Sequence, residues 1–139
     1  MLKVAVELPG DVESAGEWLA DAQAMEAAGA AALFVGPGAA DRQALLGALA
    51  AVTWRSQLAA SDGSDTVAQL ARGRLVAEDA ERWHAVPEPE SREHWVRLHA
   101  EAEEAGADGV RVKLCPPLLD LLRNPDVEED RSDLNLAQG

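Results

Sequence analysis

The sequence predicts an α/β domain in which a parallel sheet is covered by helices. Short apolar runs alternate along the chain with segments of helical period, and the connections between them are brief. One joint is also written twice, because "EAAGAAALFV" at 26–35 returns as "EEAGADGVRV" at 103–112. Five positions are identical: Glu26/Glu103, Ala28/Ala105, Gly29/Gly106, Ala30/Ala107 and Val35/Val112. The chemistry changes at Ala27/Glu104, Ala31/Asp108 and Phe34/Arg111. The constant part is an acidic helix end, a Gly and an apolar run, which is the helix-to-strand joint of a repeating βα unit.

"LKVAVEL" at 2–8 is apolar and rich in β-branched residues, and Pro9 and Gly10 stop it, so it reads as a strand. Ser14 and Glu17 form a capping-box pattern for a helix carrying Ala15, Trp18, Leu19, Ala22 and Met25 at helical spacing. Gly29 closes that helix, and 31–36 is the second strand. Asp41 caps a helix whose apolar face holds Leu45, Leu46, Leu49 and Val52. A third strand is expected at 56–61, a short helix at 66–73 and a fourth strand at 74–79. Pro87 and Pro89 mark 81–91 as a loop. Ser91 caps a helix bearing Trp95, Leu98, His99, Ala102 and Ala105, Gly106 ends it, and "GVRVKL" is a fifth strand. Pro117 opens a short last helix that Pro125 stops. Residues 1–125 therefore form a single βα domain, and 126–139 an acidic, loose tail in which Leu134 and Leu136 can dock. Asp126 to Asp133 lack the ligand spacing of a calcium loop.

A chain of 139 residues fits one domain. With four Trp, one Phe and no Tyr, its core must come mainly from Ala, Leu and Val. The net charge of −13 argues against a nucleic-acid binder, which needs cations to displace counterions, and against an anionic membrane surface. No apolar run approaches the roughly 18 residues of a membrane span. No basic segment followed by an apolar one opens the chain, so a cytoplasmic location is expected. Cys115 is the one cysteine, so no internal disulfide forms. The sequence has no GxGxxG after its first strand and no GxxxxGK[ST], the signatures of nucleotide-binding open sheets. A barrel needs no such fingerprint, since its chemistry lies in the loops after its strands.

In this order, "VAVELPG", "AMEAAGAAALFVG", "LLGALAAVTWRSQLAAS" and "VAQLARGRLVAED" resemble the first four βα units of luciferase-like flavin monooxygenases. That family includes deazaflavin-dependent oxidoreductases. The resemblance covers about the first 80 residues and, more loosely, 91–123. It implies a partial, shortened TIM-type βα barrel with about five parallel strands, since family members are about twice as long and build eight. It places a flavin-contacting turn at Ser61 and Asp62. Where the family's fourth strand ends in glycines, this chain has Glu78 and Asp79, carboxylates that repel a flavin phosphate.

Glu7, near the C-terminal end of the first strand, is the candidate acid or base. Gly36, Pro37 and Gly38 after the second strand can let a ligand approach, so Gly36, Gly38, Ser61 and Asp62 are the candidate cofactor contacts. Plain turns account for all four equally well. His94 and His99 are not spaced as a ligand pair on one helix face, and His84 stands apart, so no metal is expected. Cys115 reads as a small buried hydrophobe.

The expected function is that of an accessory or structural subunit of luciferase-like type with no tightly bound cofactor. The alternative is an FMN- or deazaflavin-dependent oxidoreductase or monooxygenase whose site is completed by oligomerisation. A small-molecule-binding or hydrolytic enzyme on an unrelated βα scaffold is a third class. A homodimer is expected, because an unclosed arc leaves strand edges bare. It would also leave an apolar concave face of Val4, Val6, Leu33, Val35, Val110 and Val112, with Trp18, Trp54, Trp83 and Trp95 as interface anchors.

Overall fold

The computed structural model describes residues 1–125; the expected acidic tail, with Leu134 and Leu136, lies outside the described residues. The elements are β1 (Lys3–Leu8), α1 (Ala15–Ala27), β2 (Ala32–Val35), α2 (Arg42–Val52), β3 (Gln57–Ala59), α3 (Asp65–Ala71), β4 (Leu75–Val76), β5 (Trp83–Ala85), α4 (Arg92–Glu104), β6 (Gly109–Lys113) and α5 (Leu118–Arg123). The strands form one parallel sheet in the order β4-β3-β2-β1-β6-β5. It has six strands among the described residues rather than about five. The additional one, β5, lies inside the segment expected to be a loop. Its three residues are too few for a period, and β6 is the strand that pairs with it.

The helix starts follow the sequence. Ser14, Asp41, Ser64 and Ser91 each accept a hydrogen bond from a backbone N–H in the first turn of their helix. The repeated joint repeats in space as well. Gly29 N–H donates to Glu26 and Ala30 N–H to Met25, while Gly106 donates to Glu103 and Ala107 to Ala102, all at 3.0 Å. Both ends are Schellman motifs with a left-handed glycine, at φ 107° and 78°.

All five helices pack on one face of the sheet. Trp18, Met25, Leu46, Leu49, Val67, Trp95, Leu98, Leu118 and Leu121 join Val4, Val6, Leu8, Leu33, Val35, Leu58, Val110 and Val112 in one core. This corrects the expected concave face. Val4, Val6, Leu33, Val35, Val110 and Val112 point toward the helices and are buried there, so they offer no surface to a second copy. Trp18 and Trp95 are buried with them, and only Trp54 of the four tryptophans is broadly exposed. The opposite face carries Ala5, Ala32, Phe34 and Ala59, with Val76 and Trp83 against them.

That opposite face is concave. Phe34 on β2 and Trp83 on β5 are three strands apart, about 14 Å in a flat sheet, yet their ring centroids lie 6.2 Å apart. Residues 77–82 also join the two edge strands. Fully extended they reach about 25 Å, barely more than the roughly 24 Å between the outer strands of a flat six-stranded sheet. Part of that length is spent in a turn where Ala80 donates to Ala77. The edges are therefore drawn toward each other.

His99 on α4 lies at the N-terminal end of this core, 3% exposed, with its ring edge-on to Trp95. Its Nδ1 accepts from the Leu2 N–H at 3.2 Å, and Nε2 has no partner among the described residues. Burial and the nearby chain N-terminus push its pKa below 6.5, against the opposing pull of Glu103. The unfolded chain thus binds this proton at a higher pH than the folded one. The stability it confers is complete above about pH 6.5 and declines as pH falls toward the folded value. Denaturant unfolding is expected to show a loss of about 1 kcal/mol between pH 7.5 and 5.5. His99→Phe should flatten that slope; equal slopes in both proteins would refute the assignment.

Candidate functional site

The concave face is built in tiers. At its N-terminal end the Trp83 ring lies across Gly109, where a side chain would collide with it. Lys3 sits 5.9 Å from the Trp83 ring centroid and pairs with Glu81. The small side chains of Ala5, Ala32 and Ala59 leave room for the two aromatic rings. Above them the Arg111 guanidinium stacks 3.8 Å from the Phe34 ring centroid. Phe34 and Arg111 are the positions at which the two copies of the repeated joint diverge, and here they touch. Arg111 also donates through Nε and Nη2 to Glu7 Oε1, at 3.1 and 2.6 Å.

Beyond this pair the C-terminal ends of the strands surround an open cleft of about 760 Å³. Glu7, Pro37, Arg42, Ser61, Asp62, Glu78, Arg111 and Lys113 line it, together with Val35. A smaller hollow of about 460 Å³ shares Glu7, Arg111 and Lys113 and adds Glu88. Arg42, the first residue of α2, spans the cleft's other side. It donates to Asp62 at 2.7 Å, to Glu78 at 3.2 Å and to the Val35 carbonyl at 2.8 Å. The Arg42 hydrogen bond holds the Asp62 carboxyl below its usual range despite some desolvation. Ser61 Oγ accepts from the Glu78 N–H at 3.1 Å, which ties the end of β4 to that of β3.

The sequence candidates fall unevenly on this site. Glu7, Ser61 and Asp62 all line the cleft. Ser61 and Asp62 are bound to Glu78 and Arg42, as parts of a clasp across the rim. Gly36 shapes the rim: its N–H donates to Leu8, and a Cβ there would stand 3.0 Å from the same carbonyl oxygen. Gly38 occupies a left-handed turn at φ 86° with open space around it, so Pro37, between the two, is the residue that faces the cleft. Arg42, Arg111 and Lys113 were not foreseen. In "GVRVK" the two cations alternate with valines, a period-two pattern that marks a second face for the strand.

The remaining candidates lie elsewhere. Cys115 is buried, and burial followed by the Glu88 charge pushes its thiol pKa up, away from nucleophilic use. His94 Nδ1 accepts from the Glu90 N–H within its own helix start. Among the described residues no group of three or more His, Cys, Asp or Glu is arranged to hold a metal, and no helix is long and apolar enough to cross a membrane. No known protein family, no curated protein and no solved structure matches the chain.

Proposed function

We propose that the chain is a shortened βα barrel of luciferase-like type that serves as an accessory or structural protein and holds no flavin tightly. The barrel reading is supported by the strand order. The chain steps outward from β1 to β4, then returns on the other flank of β1 through β5 and β6, with every helix on the outer face. A closed eight-stranded βα barrel places its first and last strands side by side in the same way. Here residues 77–82 stand in the place of the two missing units.

The observation that carries the functional reading is the engagement of Arg42. It lies beside Ser61 and Asp62, where the resemblance puts flavin contacts, but its guanidinium is already neutralised by Asp62 and Glu78. A flavin phosphate entering beside Ser61 meets two carboxylates and an arginine that both of them already engage. Phe34, Trp83 and the Glu7–Arg111 pair also occupy the depth of the concave face, beneath the open cleft.

The purified protein is expected to be colourless, and titration with FMN or deazaflavin should give affinity weaker than about 1 μM. A yellow protein, or submicromolar binding, would overturn this reading in favour of an oxidoreductase.

A further inference from the structure

We propose that the mouth of the concave face binds a small zwitterionic 2-amino carboxylate at Glu7, Arg111 and Lys113. The proposal does not depend on the flavin reading.

β6 places Arg111 and Lys113 two residues apart, so both project from the concave face, and Glu7 is the register partner of Lys113 on β1. Arg111 spends Nε and Nη2 on Glu7 Oε1. Among the described residues its Nη1 makes no hydrogen bond, nor does Glu7 Oε2 or Lys113 Nζ. Two donors and one acceptor thus stand uncommitted at the junction of the two hollows.

The Glu7–Arg111 pair is a costly feature in this place. Its side chains are only 13% and 30% exposed, on a face otherwise made of alanines and aromatic rings. An apolar pair of similar volume would stabilise the fold as well or better. What the ion pair supplies is orientation: stacking on Phe34 fixes the guanidinium plane, and the bond to Glu7 fixes which nitrogen remains available.

The charge balance selects the ligand. Three cations, Arg42, Arg111 and Lys113, line the two hollows against four carboxylates, Glu7, Asp62, Glu78 and Glu88. With Arg42 held by two of those acids, a phosphate dianion would face a surplus of negative charge. A single carboxylate can bridge Arg111 Nη1 and Lys113 Nζ. An ammonium on the adjacent carbon then meets Glu7 Oε2 within a negative rim, which a hydroxyl group exploits less.

The test titrates the full chain with the protein amino acids, and with L-lactate and inorganic phosphate as comparators, following backbone amide NMR shifts. At least one amino acid is expected to saturate, with shifts concentrated at the ends of β1 and β6. Lys113→Ala, a change at an exposed side chain, should weaken that binding about tenfold, the value of one charge-assisted hydrogen bond. Glu7→Gln should reduce the preference for the amino acid over lactate. No saturable shift from any amino acid would overturn the proposal. So would lactate or phosphate binding as tightly as the best amino acid, or binding indifferent to Lys113→Ala.

Discussion

Replacing Gly109 by Ala is expected to destabilise the protein by about 3 kcal/mol. A Cβ at this position would lie 2.7 Å from the Lys3 carbonyl oxygen and 2.8 Å from Cε3 of Trp83, and closer still to Cζ3. The oxygen belongs to the neighbouring strand and cannot move without opening the β1–β6 pairing. The ring is held on one side by Phe34, which meets it at a right angle. Gly16 supplies the control. It is exposed near the start of α1 with nothing within 4 Å of its would-be Cβ, so Gly16→Ala should be neutral or stabilise by up to about 1 kcal/mol. Urea unfolding midpoints separate the two. If Gly109→Ala stays within about 0.5 kcal/mol of wild type, the Trp83 packing described above is wrong.

Glu26→Gln should cost about 2–3 kcal/mol at neutral pH. Glu26 is a buried carboxylate at the end of α1, and its Oε2 accepts from the N–H groups of Trp54, Arg55 and Ser56 at 2.8–2.9 Å. Burial alone would raise its pKa. The three backbone donors, with Arg74 nearby, outweigh that and hold it below the ordinary 4.5. The unfolded chain therefore takes up this proton at a higher pH than the folded chain does. The stabilisation is complete above about pH 4.5 and is lost as pH falls below it toward the folded value. Glutamine carries no such titration, so the gap between the two proteins should shrink as pH drops from 6 to 3. Glu103, its counterpart in the repeated joint, is exposed, and Glu103→Gln should change stability by less than about 0.5 kcal/mol. A constant gap across that pH range, or equal costs at the two positions, would sink the assignment.

The contrast between Glu26 and Glu103 marks the limit of sequence reading here. The joint itself was legible, because a helix end, a glycine and an apolar run are local features, and both copies fold to the same hydrogen bonds. The caps at Ser14, Asp41 and Ser91 were legible for the same reason. What each glutamate does depends on which loop lies opposite, and only tertiary structure brings 54–56 to Glu26. β5 was missed because "WHA" becomes a strand only beside β6.

The sheet faces were misassigned for a related reason. Val4, Val6, Val110 and Val112 alternate cleanly, but alternation cannot say which side the helices take. Once they cover the valines, Glu7 and Arg111 are left on the concave side. Of the candidate site, Glu7, Ser61 and Asp62 could be placed from their position at strand ends. Arg42 reaches the site from the first turn of a helix, and its partners are distant in sequence.

The position of β1 has a consequence for how the molecule comes into being. Of the six described strands, β1 is synthesised before the others yet lies in the interior of the sheet, with β2 on one flank and β6 on the other. Its pairing with β2 needs only the next turn of the design, but the opposite row of amides and carbonyls waits for residues 109–114. A nascent chain that has made β1 to β4 therefore carries an exposed internal seam. The docking of β6 into it is a non-local pairing, a step of the kind that slows folding. The same step brings Arg111 to Glu7, so the site is assembled at the moment the sheet is completed.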